Sequence, residues 1–206
     1  MNIPAPIMHW LQMHYVELIA TITGFLYIIY TIREHIILWF FGIISSALYV
    51  AVFYRTSLYA YSVLYMYYVI IGFYGWYNWS RPIRSEAPNP GRLVIRRATI
   101  PMLVSCIAGI FLFMVPIYLL LKKYTETDVA WLDALLSSAG MVATWMLTQK
   151  FIEQWIFWII IDGLTCSLMI YKGLFPSSIL FLAYTLLALK GFITWKKELE
   201  AATIRN

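Results

Sequence analysis

Hydrophobic positions in this chain come in long unbroken blocks, not in the alternating or one-faced patterns of a soluble fold. Seven apolar runs can be marked, at about Leu18–Ile32, Ile36–Tyr54, Leu58–Trp79, Ala98–Leu121, Ala130–Leu147, Trp155–Tyr171 and Leu174–Trp195. Most approach the ~20 residues a helix needs to cross hydrocarbon; the first and sixth are short. Lipid offers the backbone no hydrogen bonds, so each run is predicted to be a helix, which satisfies its own N–H and C=O groups. The connections are tight except for the polar stretch Ser80–Arg97, where Pro82, Pro88, Pro90 and Gly91 break any helix. The fold class expected is an all-α polytopic membrane protein with seven transmembrane helices.

Composition agrees. Charged residues make up 12% of the 206 and hydrophobic ones 62%, whereas a soluble domain carries about 25% charged residues. A net charge of +5 could point to nucleic acid, but the basic residues fall in short loops between apolar runs, so the expected partner is the lipid bilayer. With the N-terminus outside, the inner loops hold Arg33, Arg81, Arg84, Arg92, Arg96, Arg97, Lys150, Lys196, Lys197 and Arg205. The outer loops then hold only Arg55, Lys122, Lys123 and Lys172. The positive-inside rule predicts N-out and C-in. Lys190 lies inside the last run, a turn from its inner end, where it can snorkel. Residues 1–16 have Trp10, His14 and Tyr15 but no early basic cluster. They read as an interfacial segment before the first span, not as a cleaved signal peptide.

The chain also repeats. Residues 17–79 moved by 116 positions fall on 133–195 without a gap. Gly24 meets Gly140, Trp39 meets Trp155, Leu48 meets Leu164, Leu58 meets Leu174, Tyr68 meets Tyr184, Gly75 meets Gly191 and Trp79 meets Trp195. Each unit carries three spans. A linker helix over 98–122 stands between them, with a cytoplasmic loop at 80–97 and a tail at 196–206. Four spans separate the two starts, an even number, so both units point the same way. The expectation is a 3+1+3 parallel repeat about an axis along the membrane normal, with substrate held between the repeats near the midplane.

Candidate chemistry centres on the sixth run. Trp155, Trp158 and Asp162 are spaced i, i+3, i+7 and share one helical stripe. Two indoles and a carboxylate suit a flat, cationic heteroaromatic ligand. A charge at mid-span costs roughly 2.5–3.5 kcal/mol on insertion scales, so Asp162 marks a functional position, with an ion pair to Lys190 as the competing reading. The first unit's matching stripe is Trp39, Gly42 and Ser46, so the halves are not equivalent. Tyr65 and Tyr68 of the tyrosine-rich third run are candidate pathway residues, as are Thr144 and Trp145 of the fifth and Tyr184 of the seventh. Each of these reads equally well as packing or aromatic belt. Cys106 and Cys166 lie in apolar runs with no metal or disulfide pattern. No phosphate-binding loop, nucleophile elbow, metal spacing or carboxylate pair appears, so neither an enzyme, a cofactor nor a metal is expected.

With the repeat and stripe in view, the chain resembles the PnuC family of vitamin-precursor transporters from Glu17 to Trp195. In the first unit the resemblance is carried by Trp39, Gly42, Ile43, Ile44, Leu58, Tyr59, Gly75, Trp76, Tyr77 and Trp79. In the second it is carried by Ala143–Met146, Ile152–Trp155, Trp158, Asp162 and Tyr171–Leu174. It implies a fold related to SWEET sugar transporters, homotrimers with one pathway per protomer, and a bacterial inner (cytoplasmic) membrane. It also implies facilitated diffusion of nicotinamide riboside, thiamine, riboflavin or deoxynucleosides, with the cargo trapped inside by phosphorylation. The WxxW pair, Trp155 and Trp158, matches the family's binding site. The chain departs in the third run, where Tyr61 and Tyr65 replace the family's usual aspartate and glutamine. Nicotinamide riboside and thiamine both carry the aromatic cation that Asp162 suits, and a tyrosine-lined wall tilts toward thiamine. Coupling to protons or other ions, with Asp162 as the proton carrier, is the alternative mechanism, and a non-transporting membrane subunit is the remaining reading.

Overall fold

A computed structural model describes residues 5–55, 59–81, 94–125 and 128–205. Among these there are seven helices: α1 (Ala5–Ile32), α2 (Leu38–Arg55), α3 (Tyr59–Ser80), α4 (Ile100–Tyr124), α5 (Ala130–Thr148), α6 (Gln154–Tyr171) and α7 (Phe175–Arg205). They match the seven apolar runs one for one. Five of them, α2, α4, α5, α6 and α7, are long and apolar enough to cross a membrane. The tyrosines of α3 lower its hydropathy, and in α1 the apolar stretch is Ile22–Ile32. The α1 helix starts at Ala5 and runs on without a break at residue 16. The repeat partner Leu58 and most of the proline-rich loop, residues 82–93, lie outside the described residues.

The chain forms two compact units, one through Phe73 and the other from Tyr74. In the first, α1 packs on α2. The Ser45 hydroxyl donates to Ala20 O at 2.8 Å, and the Tyr27 ring lies so close to Gly42 that a Cβ there would sit 2.8 Å from it. Rings tie α2 to α3: Tyr65 meets Tyr49 at 5.0 Å and Phe53 at 5.2 Å.

In the second unit α4 packs on α5, α5 on α6 and α6 on α7. The core joins Cys106 and Ile110 of α4, Val142, Ala143 and Met146 of α5, and Ile161 of α6. Both cysteines are free; Cys106 fills this core and Cys166 Sγ donates to Ser178 O at 3.3 Å.

Two short turns have the same design 116 residues apart. Glu34 and Lys150 both take the left-handed conformation, with φ of 50° and 52°. His35 N donates to Tyr30 O at 3.0 Å, and Phe151 N donates to Met146 O at 3.1 Å. Neither turn residue is glycine, so each conformation costs on the order of 1 kcal/mol and is held by its surroundings. For Lys150 those surroundings are visible. Its ammonium is buried over the Trp79 ring at 4.3 Å. The extended approach to α4 then docks on the same turn: Arg96 N donates to Lys150 O at 3.1 Å and Ile152 N donates to Arg96 O at 3.0 Å. The Arg96 guanidinium caps the contact by donating to Gln149 O at 3.1 Å and Gln149 Oε1 at 3.0 Å.

The α6–α7 seam is the tightest. A Cβ on Gly191 would lie 2.5 Å from the Trp155 ring, and Trp155 meets Trp195 edge-on at 5.6 Å. Gly191→Ala is expected to destabilise the protein by about 1–3 kcal/mol through overpacking. The expected readout is a lower thermal midpoint in detergent, with Gly163→Ala, whose added Cβ meets nothing within 4 Å, as the near-neutral control.

Candidate functional site in helix α6

Helix α6 opens where the docked turn ends. Ile152 and Glu153 are held by the Arg96 segment, and the Glu153 carboxylate accepts from Ala98 N at 2.9 Å. This anchors the first turn of α6 and sets the direction of the side chains that follow. At 100° per residue, Trp155, Trp158 and Asp162 fall within an arc of about 60°, and Gln154 lies about 40° beyond Trp158.

The structure divides this stripe between two neighbours. Trp155 is buried in the seam with α7, against Trp195 and Gly191. Trp158 is half-buried and packs instead on the α4–α5–α6 core, together with Trp145 and Leu136. Its half-open indole leaves ring surface for stacking. Asp162 is buried, and among the described residues no hydrogen bond or ion pair engages it. Lys190 is exposed and makes no ion pair with it.

Gln154, the residue before the indole pair, was not singled out as a site by its spacing. It is 0% exposed. Both amide atoms, Nε2 and Oε1, are sealed with no hydrogen-bond partner among the described residues, as is Trp155 Nε1. A buried polar group left unpaired costs roughly 1–3 kcal/mol. The signal in the sequence is an amide one helical turn before Trp158 at the head of an apolar helix.

The other candidates are placed as follows. Thr144 is buried, and its hydroxyl donates to Gly140 O of its own helix at 2.9 Å. Trp145 is half-buried, with its ring 6.3 Å from Phe151. Tyr184 is half-buried against Phe181 of the same helix. In the first unit Trp39 is 1% exposed, in the core. Ser46 is half-buried, whereas its neighbour Ser45 makes the helix-to-helix bond. Tyr65 and Tyr68 touch at 5.6 Å within the α2–α3 ring cluster. Among the described residues no His, Cys, Asp and Glu group could hold a metal ion.

Within the second unit, then, Gln154, Trp158 and Asp162 follow one another at intervals of four residues along α6, with Trp145 on the same core. A ring cation can stack on the indole, the carboxylate can match its charge, and the amide can pair with a polar edge.

Known proteins match this chain. Residues 14–197 match the family model described as nicotinamide mononucleotide transporter. The chain is similar to the nicotinamide riboside transporter PnuC of Escherichia coli (strain K12), 27% identical over 208 residues, covering 89% of this chain and 86% of the relative. It is also similar to the riboflavin/roseoflavin transporter RibM of Streptomyces davaonensis, 28% identical over 126 residues, covering 61% of this chain and 58% of the relative. The fold superposes on the crystal structure of the vitamin B3 transporter PnuC with a TM-score of 0.71 at 22% identity, covering 96% of this chain and 87% of that one.

The split stripe makes a testable distinction between the two indoles. Trp155→Ala empties a sealed seam and is expected to cost about 3 kcal/mol or more of stability. Trp158→Ala, from a half-buried position, is expected to lower the thermal midpoint clearly less. Melting of both variants in the same detergent checks the order.

Proposed function

The chain belongs to the nicotinamide mononucleotide transporter family, and from that premise we propose that it carries a small cationic vitamin precursor across the membrane by facilitated diffusion. The cargo is nicotinamide riboside or thiamine, trapped after entry by phosphorylation. The relatives named above are transporters, and nicotinamide riboside is the cargo in the name of the E. coli relative. The observation that carries the reading is the pairing of a half-open Trp158 indole with a buried, unengaged Asp162 one turn further along α6. An unpaired carboxylate at that depth is costly, and a cargo cation supplies the missing partner. Trp39, Ser46, Tyr65, Tyr68, Thr144, Trp145, Trp155 and Tyr184 complete the proposed pathway or support it by packing.

The architecture proposed is the 3+1+3 parallel repeat, with units at 17–79 and 133–195 and the linker helix at 98–122. The matching turns at Glu34 and Lys150, 116 residues apart, support it. Transport would follow from rocking of the three-helix units. The protein would sit in the inner membrane of a bacterium as a homotrimer, N-terminus outside and C-terminus inside, as the Lys and Arg distribution favours. A second reading has one observation in its favour: an unengaged Asp162 is also suited to carry a proton, which would make uptake gradient-dependent.

Titration calorimetry of the purified protein with nicotinamide riboside and thiamine tests the cargo. Trp158→Ala and Asp162→Asn are each expected to weaken binding at least tenfold, with both variants still eluting as folded protein. Wild-type affinity in both would remove this site. Uptake into vesicles is expected to persist without any ion gradient; collapse on dissipating the gradient would replace facilitated diffusion with proton coupling.

A further inference from the structure

Resting on that reading of the α6 site, we propose that Gln154 is a specificity-determining residue that hydrogen-bonds the cargo through an edge presenting a donor beside an acceptor. The class includes a primary carboxamide or an aminopyrimidine. Three observations meet here. The amide is wholly enclosed, at 0% exposure. Both its donor nitrogen and its acceptor oxygen lack partners among the described residues. It also stands four residues before Trp158 and eight before Asp162, an axial rise of about 6 Å and 12 Å.

Burying an amide with neither atom bonded carries a cost that packing alone does not require. The hydroxyls of this protein do find partners inside their own helices, as Thr165 does on Ile161 O at 2.7 Å and Thr144 on Gly140 O at 2.9 Å. The Gln154 side chain leaves its first turn unanswered. Its orphan atoms are one NH2 group and one carbonyl oxygen, and a carboxamide is complementary to that pair. A cationic ring stacked on Trp158 with its charge toward Asp162 would carry such a substituent toward Gln154, one turn away. Because the amide is sealed, the pairing requires the first turn of α6 to be uncovered as cargo is taken up. Paired, Gln154 rejects a cargo that offers only acceptors, because its NH2 and carbonyl cannot both be answered.

The test uses the purified protein, with nicotinamide riboside and 3-acetylpyridine riboside as probes. The second keeps the same ring cation and carries a methyl ketone, an acceptor alone, where the first has a carboxamide. The wild type is expected to prefer the amide. Gln154→Met keeps the length and removes the polar atoms. It is expected to melt no lower than wild type, to bind nicotinamide riboside about 10- to 100-fold more weakly, and to lose the preference between the two probes. Trp158→Ala runs alongside. If wild type binds, Trp158→Ala fails to bind, and Gln154→Met keeps both affinity and preference, the inference falls while the α6 cargo site stands. If the wild type binds neither probe, the cargo reading falls and this inference with it. A Gln154→Met protein that does not fold is replaced by Gln154→Leu, which also removes both polar atoms. Retention of the wild-type preference in that variant overturns the inference equally.

Discussion

A membrane interior gives polar atoms nothing to bond with, and every feature of this chain answers to that constraint. Helices answer it for the backbone. Serine and threonine answer it for themselves by bonding carbonyls three or four residues back, as at Thr31 on Tyr27 O and Thr185 on Phe181 O. Ser45 goes further and bonds Ala20 of the neighbouring helix, so that satisfying the hydroxyl also fastens α1 to α2. Against that background three groups on α6 stand out. The Asp162 carboxylate, the Gln154 amide and the Trp155 indole N–H are buried and bond nothing among the described residues. Under the function proposed above the cargo answers the first two, while Trp155 is closed off in the seam with α7.

The α6 face is positioned from outside the helix. The connector Val94–Thr99 runs extended into α4 and bonds the α5–α6 turn through Lys150, Gln149 and Ile152, while Glu153 holds Ala98. Lys150 sits in a backbone conformation it would not choose alone, with its ammonium over Trp79. Asn78 of α3 donates to Thr148 O of the same turn at 2.7 Å. The end of α3, the entry to α4 and the start of α6 are thus gathered on one short turn. Side chains leaving that turn are directed by backbone contacts, which are less pliable than side-chain packing.

The two indoles of α6 show how much a shared stripe leaves undecided. Their separation of about 60° around the helix axis is small. It is nevertheless enough for Trp155 to close on α7 and for Trp158 to face the α4–α5 core. One becomes a packing residue of a dense seam and the other keeps open ring surface. The same holds for Ser45 and Ser46, where one step along α2 separates a helix tie from a half-buried hydroxyl.

The sequence by itself determined the number and places of the helices, because crossing hydrocarbon demands long apolar runs and those are written locally. It also determined the family, through Trp, Gly and Asp at fixed spacings over nearly the whole chain, and it marked Asp162 as a charge inside an apolar run. What it left open depends on which helix faces which. Whether Trp155 stacks on cargo or on Trp195, whether Lys190 answers Asp162, and whether Gln154 finds a partner are all decided by neighbours far apart in the chain. Helical periodicity gives the angle of a side chain about its own axis and nothing about what lies opposite. The contacts across α4, α5, α6 and α7 supply that second half, and with it the distinction between side chains closed into a seam and side chains left half-open.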